Sequence, residues 1–383
     1  MQISESVKYV GVTDKKTDLF EGQYKIPSGI SYNSYVILDG KIAVMDAVDI
    51  NFTEEWIGNI KEILGTRTPD YLIVQHMEPD HAAGILRFTE EFPNATVVSS
   101  AKAFKMMQGF FGTDFADRQK VVKEGEELPL GSHTLKFVEA PMVHWPEVIM
   151  SYESSEGILF SADAFGKFGA PDFSDGWVSE ARRYYIGIVG KYGAQVQSVL
   201  KKAGTLDIKK ICPLHGPVLT ENLGKYISLY DKWSKYEPEE EGVTVAYTSV
   251  YGNTKKAAVK LYETLTAKGA KAELFDLARC DFAESVASAF KFSKLVLATT
   301  TYNAGIFPYM HEFINHLTER GFKNRKVAFI ENGSWAPMAE KVMRGMLEGA
   351  KGIEYAENSV RILSAPNADT YAQLDALADE LAK

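Results

Sequence analysis

Two histidines and two carboxylates fall within six residues, His76-Met77-Glu78-Pro79-Asp80-His81, directly after an apolar run at 71–75 that reads as a strand. Imidazole nitrogens and carboxylate oxygens together are donors for divalent metals. Glu78 precedes a proline and is therefore biased away from helix, so the segment reads as a loop whose side chains are free to converge. A solvated acidic turn is the plain alternative. With only seven histidines in 383 residues, two of them in one such turn argue against it. His144, Asp163 and His215 stand in similar places, each just beyond a strand-like run. Any one of them alone is an ordinary polar residue; together with the loop they make seven candidate ligands, His76, Glu78, Asp80, His81, His144, Asp163 and His215. Cys212 and Cys280 are the only two cysteines and form no Cys-x-x-Cys pair, which excludes a disulfide framework and four-thiolate metal sites. Any metal must be held by histidines and carboxylates.

The elements that must position these residues fall into two groups. Upstream, residues 30–38, 41–47, 71–75, 96–100, 134–139, 147–152 and 157–161 read as strands, flanked by helical stretches near 53–64, 101–110, 179–202 and 221–234. That mixture predicts two sheets covered by helices, with long loops at strand ends. Residues 235–242 combine a charge run, a proline and a glycine and read as a linker. Downstream, strand patterns at 243–248, 272–277, 295–299, 326–331 and 359–363 alternate with helical ones, which predicts a doubly wound parallel sheet. At roughly 150 residues per domain the length favours two or three domains. The expected division is 1–240 and 241–383.

Composition narrows the partners. With 45% apolar and 24% charged residues the chain is that of an ordinary globular protein. The net charge, 42 − 51 = −9, comes without any Lys/Arg run and argues against nucleic acid or an anionic membrane as the main partner. No stretch of 18 apolar residues predicts a membrane span. The first six residues lack the basic-then-apolar order of a secretory leader, so a cytoplasmic location is expected.

The ligand loop resembles that of the metallo-β-lactamase fold, which reads His-x-His-x-Asp-His, with Glu78 in place of the second histidine. That departure is similar to the flavodiiron proteins, and the resemblance covers the whole chain. It implies an α/β architecture: an N-terminal metallo-β-lactamase-like αβ/βα sandwich followed by a C-terminal flavodoxin-like sheet. An added carboxylate supplies hard oxygen and favours iron or manganese over zinc. Carried over, the resemblance places one iron on His76, Glu78 and His144, the other on Asp80, His81 and His215, and Asp163 between them. Family members often carry a histidine in an early loop; here that loop reads Phe20-Glu21-Gly22-Gln23-Tyr24, and Tyr24 is the candidate to donate a hydrogen bond over the metals, with an aromatic packed there without chemistry as its equal alternative. His133 is expected in a surface turn, and His311 and His316, five apart on one helix, are not expected to bind metal.

Three loops suit a flavin mononucleotide. Thr248, Ser249, Tyr251, Gly252, Asn253 and Thr254 join a strand to a helix and offer hydroxyls, backbone N–H groups and a helix N-terminus to a phosphate, without any Lys or Arg. Thr301, Tyr302, Asn303, Ala304 and Gly305 follow the next central strand, and Asn332, Gly333, Ser334, Trp335 and Ala336 the one after. Both loops lie at the carboxyl ends where a doubly wound sheet binds FMN. Tyr302 and Trp335 are placed to flank the ring, and Gly305 and Gly333 to let the backbone reach its polar edge.

The resemblance then implies an FMN- and diiron-dependent oxidoreductase that reduces dioxygen to water, nitric oxide to nitrous oxide, or both. Its expected form is a head-to-tail homodimer or a dimer of dimers. The cysteine count leaves no room for a fused rubredoxin module, so electrons are expected from a separate protein, rubredoxin in this family. A dinuclear zinc hydrolase with an accessory flavin domain is the rival reading of the same ligands, and a flavin electron carrier the third.

Overall fold

The structure, a computed structural model, describes residues 3–171 and 176–383. Met1 and Gln2, the head of the run read above for a leader, lie outside them. The chain divides into two compact units, Met1–Asp231 and Lys232–Lys383. Among the described residues no helix is long and apolar enough to cross a membrane.

The first unit holds two sheets. One has six strands in the order Val7–Tyr9, Tyr35–Ile37, Ala43–Met45, Tyr71–Ile73, Thr96–Ser99 and Gln119–Val121. The other has five, Glu127–Pro129, Thr134–Glu139, Ile149–Glu153, Ile158–Phe160 and Lys210–Cys212. Val7, Ile37, Met45, Ile73 and Val98 of the first sheet share one buried cluster with Leu135, Phe137, Ile149, Ile158 and Phe160 of the second. The sheets therefore face one another, as a sandwich requires. Helices such as Thr53–Leu64 and Ala101–Phe111 are amphipathic and bury one face each, Trp56, Ile57 and Ile60 in the first and Ala103, Phe104 and Met107 in the second.

Three local features depart from the periodic reading. The run at 30–38 splits into Ile30–Tyr32 and Tyr35–Ile37. Between them the Asn33 amide donates to the carbonyls of Pro213 and Gly216, and Ser34 donates to Asp46 O while accepting from Trp56. The expected helix at 179–202 is broken: Trp177–Tyr184, a π turn at Tyr185–Val189, a 3-10 turn at Gly190–Tyr192 and Gly193–Ala203. Glycines at 187, 190 and 193 weaken the regular ladder there. His133 is buried rather than on the surface, with Nδ1 3.1 Å from the buried Glu153 carboxylate.

The second unit is a parallel sheet in the order Ala272–Asp276, Glu240–Tyr247, Phe292–Tyr302, Lys326–Asn332, with Glu354–Tyr355 and Val360–Ile362 both pairing the last of these. Helices Asn253–Ala267 and Ala368–Leu381 pack together over one face through Leu261, Leu265, Leu374 and Leu377. Glu240 and Glu241, read above as part of a linker, already belong to the second strand in this order. Their charges are held by Lys271 and Lys291 and by Ser293.

Candidate metal centre and flavin cleft

The metal loop is built by a strand that stops and a helix that barely starts. Gln75 N–H donates to Asp46 Oδ1 at 2.7 Å instead of extending the ladder. Glu78 is extended, at φ −61° and ψ 137°, and Pro79 opens a four-residue helix, Pro79–Ala82, that carries Asp80 and His81. His215 is set by the loop that Asn33 and Tyr35 grip, since Tyr35 also donates to Pro213 O.

These elements bring all seven candidate ligands together in two groups. His76, Glu78, His144 and Asp163 form one, and Asp80, His81 and His215 the other. In the first, His76 Nε2 lies 3.3 Å from Glu78 Oε2, 3.3 Å from His144 Nε2 and 3.2 Å from Asp163 Oδ2. His144 Nε2 lies 3.1 Å from both carboxylates. In the second, His81 and His215 oppose their Nε2 atoms at 3.0 Å, and each is 3.3 Å from Asp80 Oδ2. The other oxygen of Asp163, Oδ1, faces this group at 3.4 Å and 3.8 Å.

Two donors about 2.1 Å from one cation and at right angles to each other lie about 3 Å apart, so these spacings suit a metal in each group. Among the described residues, both oxygens of Asp80 and of Asp163 are buried without a conventional hydrogen-bond donor. Buried carboxylates without compensation cost several kcal/mol, and a cation between the imidazoles supplies it. Two imidazoles, one carboxylate and one oxygen of a shared carboxylate per metal also suit iron.

The titrations show the same pull. Burial pushes the His76 imidazolium down, but Asp163, Glu147 and Glu78 overcome it and hold it well above its ordinary value. His144 is pushed up to about 9, with burial opposed by the adjoining Asp163 and Glu78 carboxylates. Asp163 and Glu78 are both held well below the usual carboxylate range, against burial, by the histidines.

Several residues at the centre carry no signal in the sequence reading. Glu147, fully buried, accepts from His76 Nδ1 at 2.8 Å and from Met77 N–H at 2.9 Å. His215 Nδ1 donates to the Ser31 carbonyl at 2.7 Å. Tyr184 is buried, and burial followed by the Asp163, Glu78 and Asp80 charges drives its hydroxyl well above its ordinary pKa. Its ring, with those of Phe20 and Tyr32, walls His215 at 5.3–6.1 Å. Tyr24 is buried in the hairpin of Leu19–Phe20 and Tyr24–Lys25, 5.4 Å from the Phe168 ring. In the same hairpin the Glu21 carboxyl is pushed up to about 7 by burial and by the neighbouring Glu78 carboxylate. The one hint is positional: Glu21 stands in the early loop where the family resemblance leads one to expect a histidine.

The flavin loops meet in a 670 Å³ cleft of the second unit. Ser249, Tyr251, Asn253, Thr254, Thr301, Tyr302, Asn303, Ala304, Asn332, Gly333, Ser334, Trp335 and Ala336 line it, and so do Val250, Thr300, Met338 and Ser364, which the sequence reading left out. Thr248, Gly252 and Gly305 do not line it. Thr248 is buried and pairs its hydroxyl with Thr299 at 2.6 Å. Gly252, at φ +88°, makes the turn into helix Asn253–Ala267, a conformation that favours glycine. Gly333 is needed for packing, because a β-carbon there would sit 2.8 Å from Pro337. Asn332 ties the loops together, donating to Thr254 Oγ1 and to Ser364 O. Tyr251 and Trp335 at the cleft are 94% and 92% exposed, so their ring faces are open to a planar ligand. The donor set is hydroxyls, amides and a helix N-terminus, and no lining residue is charged, which fits a phosphate monoester held by backbone N–H groups.

Residues 30–216 match the family described as "ODP family beta lactamase", and residues 245–368 match "Flavodoxin". The chain is 30% identical over 360 residues to the nitric oxide reductase of Moorella thermoacetica, covering 91% of this chain and 90% of that one. Among solved structures it is similar to the rubredoxin oxygen:oxidoreductase of Desulfovibrio gigas, with a TM-score of 0.92, 25% identity and coverage of 100% and 97% of the two chains. It is equally similar in fold to the flavodiiron protein of Giardia intestinalis, with a TM-score of 0.92, 27% identity and coverage of 99% and 95%. A metallo-β-lactamase-like domain followed by a flavodoxin-like domain defines a flavin-dependent oxidoreductase class. The chain belongs to the flavodiiron protein family.

Proposed function

We propose that this protein reduces dioxygen to water, nitric oxide to nitrous oxide, or both, in a metal domain at 1–240, with electrons entering through an FMN domain at 241–383. The observation that carries the reading is Asp163, which turns one oxygen to each of two His-carboxylate groups in a chain that also has a flavin cleft. When bound, the iron pair and the flavin supply the electron storage and transfer that side chains lack. The chain's own residues do the rest. His76, Glu78 and His144 would hold one metal and Asp80, His81 and His215 the other. Tyr32 and Tyr184, kept protonated by burial and nearby carboxylates, pack their rings against His215 and would offer hydroxyl hydrogens there. Tyr24, in the hairpin beside Phe168, would be a further donor. Ser249, Asn253 and Thr254 would hold the phosphate of FMN, with Trp335 and Tyr302 against its ring.

The electron donor would be a separate protein of the rubredoxin type, as the name of the Desulfovibrio gigas relative suggests for that enzyme. A head-to-tail dimer would present the flavin of one copy to the metals of its partner, and a cytoplasmic location would suit a soluble donor. The dinuclear zinc hydrolase loses support from the relatives, which are named as oxidoreductases. The test is anaerobic consumption of both gases by the reduced, iron-loaded enzyme, with metal content measured on the same preparation. Two zinc per chain, no iron and no gas consumption would sink the reading; a monomeric mass with full activity would sink the dimer alone.

A further inference from the structure

The two ligand groups are equal in their donors and unequal in what stands behind them. Each has two imidazoles, one carboxylate and one oxygen of Asp163. Behind His76 lies a buried carboxyl group: Glu147 Oε1 is 2.8 Å from Nδ1, and both side chains are 0% exposed. The Glu147 carboxylate is clamped, since the same oxygen accepts Met77 N–H and the residue's own carbonyl accepts the Ser100 hydroxyl at 2.8 Å. Its second oxygen is buried with no hydrogen-bond partner among the described residues. Behind the other group, among the described residues, His215 Nδ1 meets a neutral carbonyl, Ser31 O. His81 Nδ1 is buried without a hydrogen-bond partner among the described residues. Aromatic rings of Phe20, Tyr32 and Tyr184 fill the space around His215 instead.

A carboxylate on the far nitrogen fixes the tautomer with Nε2 free and makes that nitrogen a stronger donor. It also adds Coulomb attraction through a dry interior, where screening is weak. We propose that Glu147 is a positioning residue that makes the two metal sites unequal, so that the site of His76, Glu78 and His144 fills first and holds its metal more tightly. This rests on the diiron reading above. Removing such an outer partner weakens a metal site by roughly 10- to 100-fold.

The experiment is a titration of the full-length, chelator-stripped protein with cobalt(II) alone, followed by its ligand-field absorption, in wild type, Glu147→Gln and Glu147→Asp. Glu147→Gln keeps an acceptor oxygen and removes the charge. Wild type is expected to bind two cobalt ions in two resolved steps. In Glu147→Gln the tight step should weaken about 10- to 100-fold while the weak step stays, so the two merge. Glu147→Asp, which keeps the charge at shorter reach, should recover part of the separation. Two equal steps in wild type, or a Glu147→Gln titration that matches wild type or loses both steps alike, overturns the inference and leaves the diiron reading standing. Fewer than two cobalt ions in wild type overturns both. If Glu147→Gln fails to fold by circular dichroism, an unaltered tight step in Glu147→Asp overturns the inference in its place.

Discussion

The ring of Tyr24 lies against the bare α-carbon of Gly187: a β-carbon there would sit 2.8 Å from Cε1, Cζ and Oη of the tyrosine. The π turn Tyr185–Val189 presents that glycine, and the Phe168 ring packs on the tyrosine at 5.4 Å. Tyr24 therefore has little room to retreat. Gly187→Ala should displace its hydroxyl and destabilise the fold by about 1–3 kcal/mol, the usual cost of overpacking. Thermal unfolding and gas consumption of the iron-loaded variant check this. Retained iron with reduced turnover is the expected pattern, and wild-type values for both would remove Tyr24 from the site's workings.

Much of this centre was legible in the chain because its ligands cluster at strand ends, and strand ends announce themselves by a change in pattern. His76 to His81 could be read as one loop, and the three flavin loops as three. The supporting residues could not. Glu147 and His76 are 71 residues apart, and nothing local in Trp145-Pro146-Glu147 distinguishes that carboxylate from a solvated one. Glu153 buries His133 by the same kind of distant pairing, 20 residues on, which is why a Gly-Ser-His turn misled. The broken strand at 30–38 follows from Asn33 reaching carbonyls about 180 residues away, and periodicity holds no trace of that reach.

Asp163 is the residue both metal groups share, and its two oxygens serve different groups. Asp163→Asn keeps the shape but replaces one oxygen by an amide that cannot bind a cation. The expected result is loss of both metals, to well below one iron per chain after anaerobic purification, with the circular dichroism spectrum intact. Two irons per chain in this variant would show that the bridge is not needed.

Trp335 is almost wholly exposed at the cleft, so the folded chain gains little from it by packing. Its value should appear only with FMN present. An aromatic pair contributes about 0.5–1.5 kcal/mol, so Trp335→Ala should weaken FMN by roughly 2- to 10-fold. Titration of the flavin-free protein, read by quenching of flavin fluorescence, measures it. An unchanged affinity would assign the ring face to Tyr302 or Tyr251 instead.

Glu380 supplies a prediction away from either site. Its carboxylate accepts the N–H groups of Glu357 and Asn358 at 3.0 Å, the Asn358 side chain at 2.9 Å and Lys326 at 3.3 Å. Burial works against the charge, yet the N–H donors of Asn358 and Glu357 and the Lys326 ammonium pull the carboxyl down from 4.5 to about 2. A carboxyl whose pKa falls on folding contributes stability that is fully present above its unfolded value and is lost as pH drops through the folded one. The window is therefore about 4.5 down to about 2. Glu380→Gln should be less stable than wild type at neutral pH, and the gap should close across that window as the wild-type carboxylate is protonated. Urea unfolding of both full-length proteins at a series of pH values gives the gap directly. A gap that stays constant from neutral pH to about 2 would mean that the lost contacts are steric and that the carboxylate charge contributes nothing.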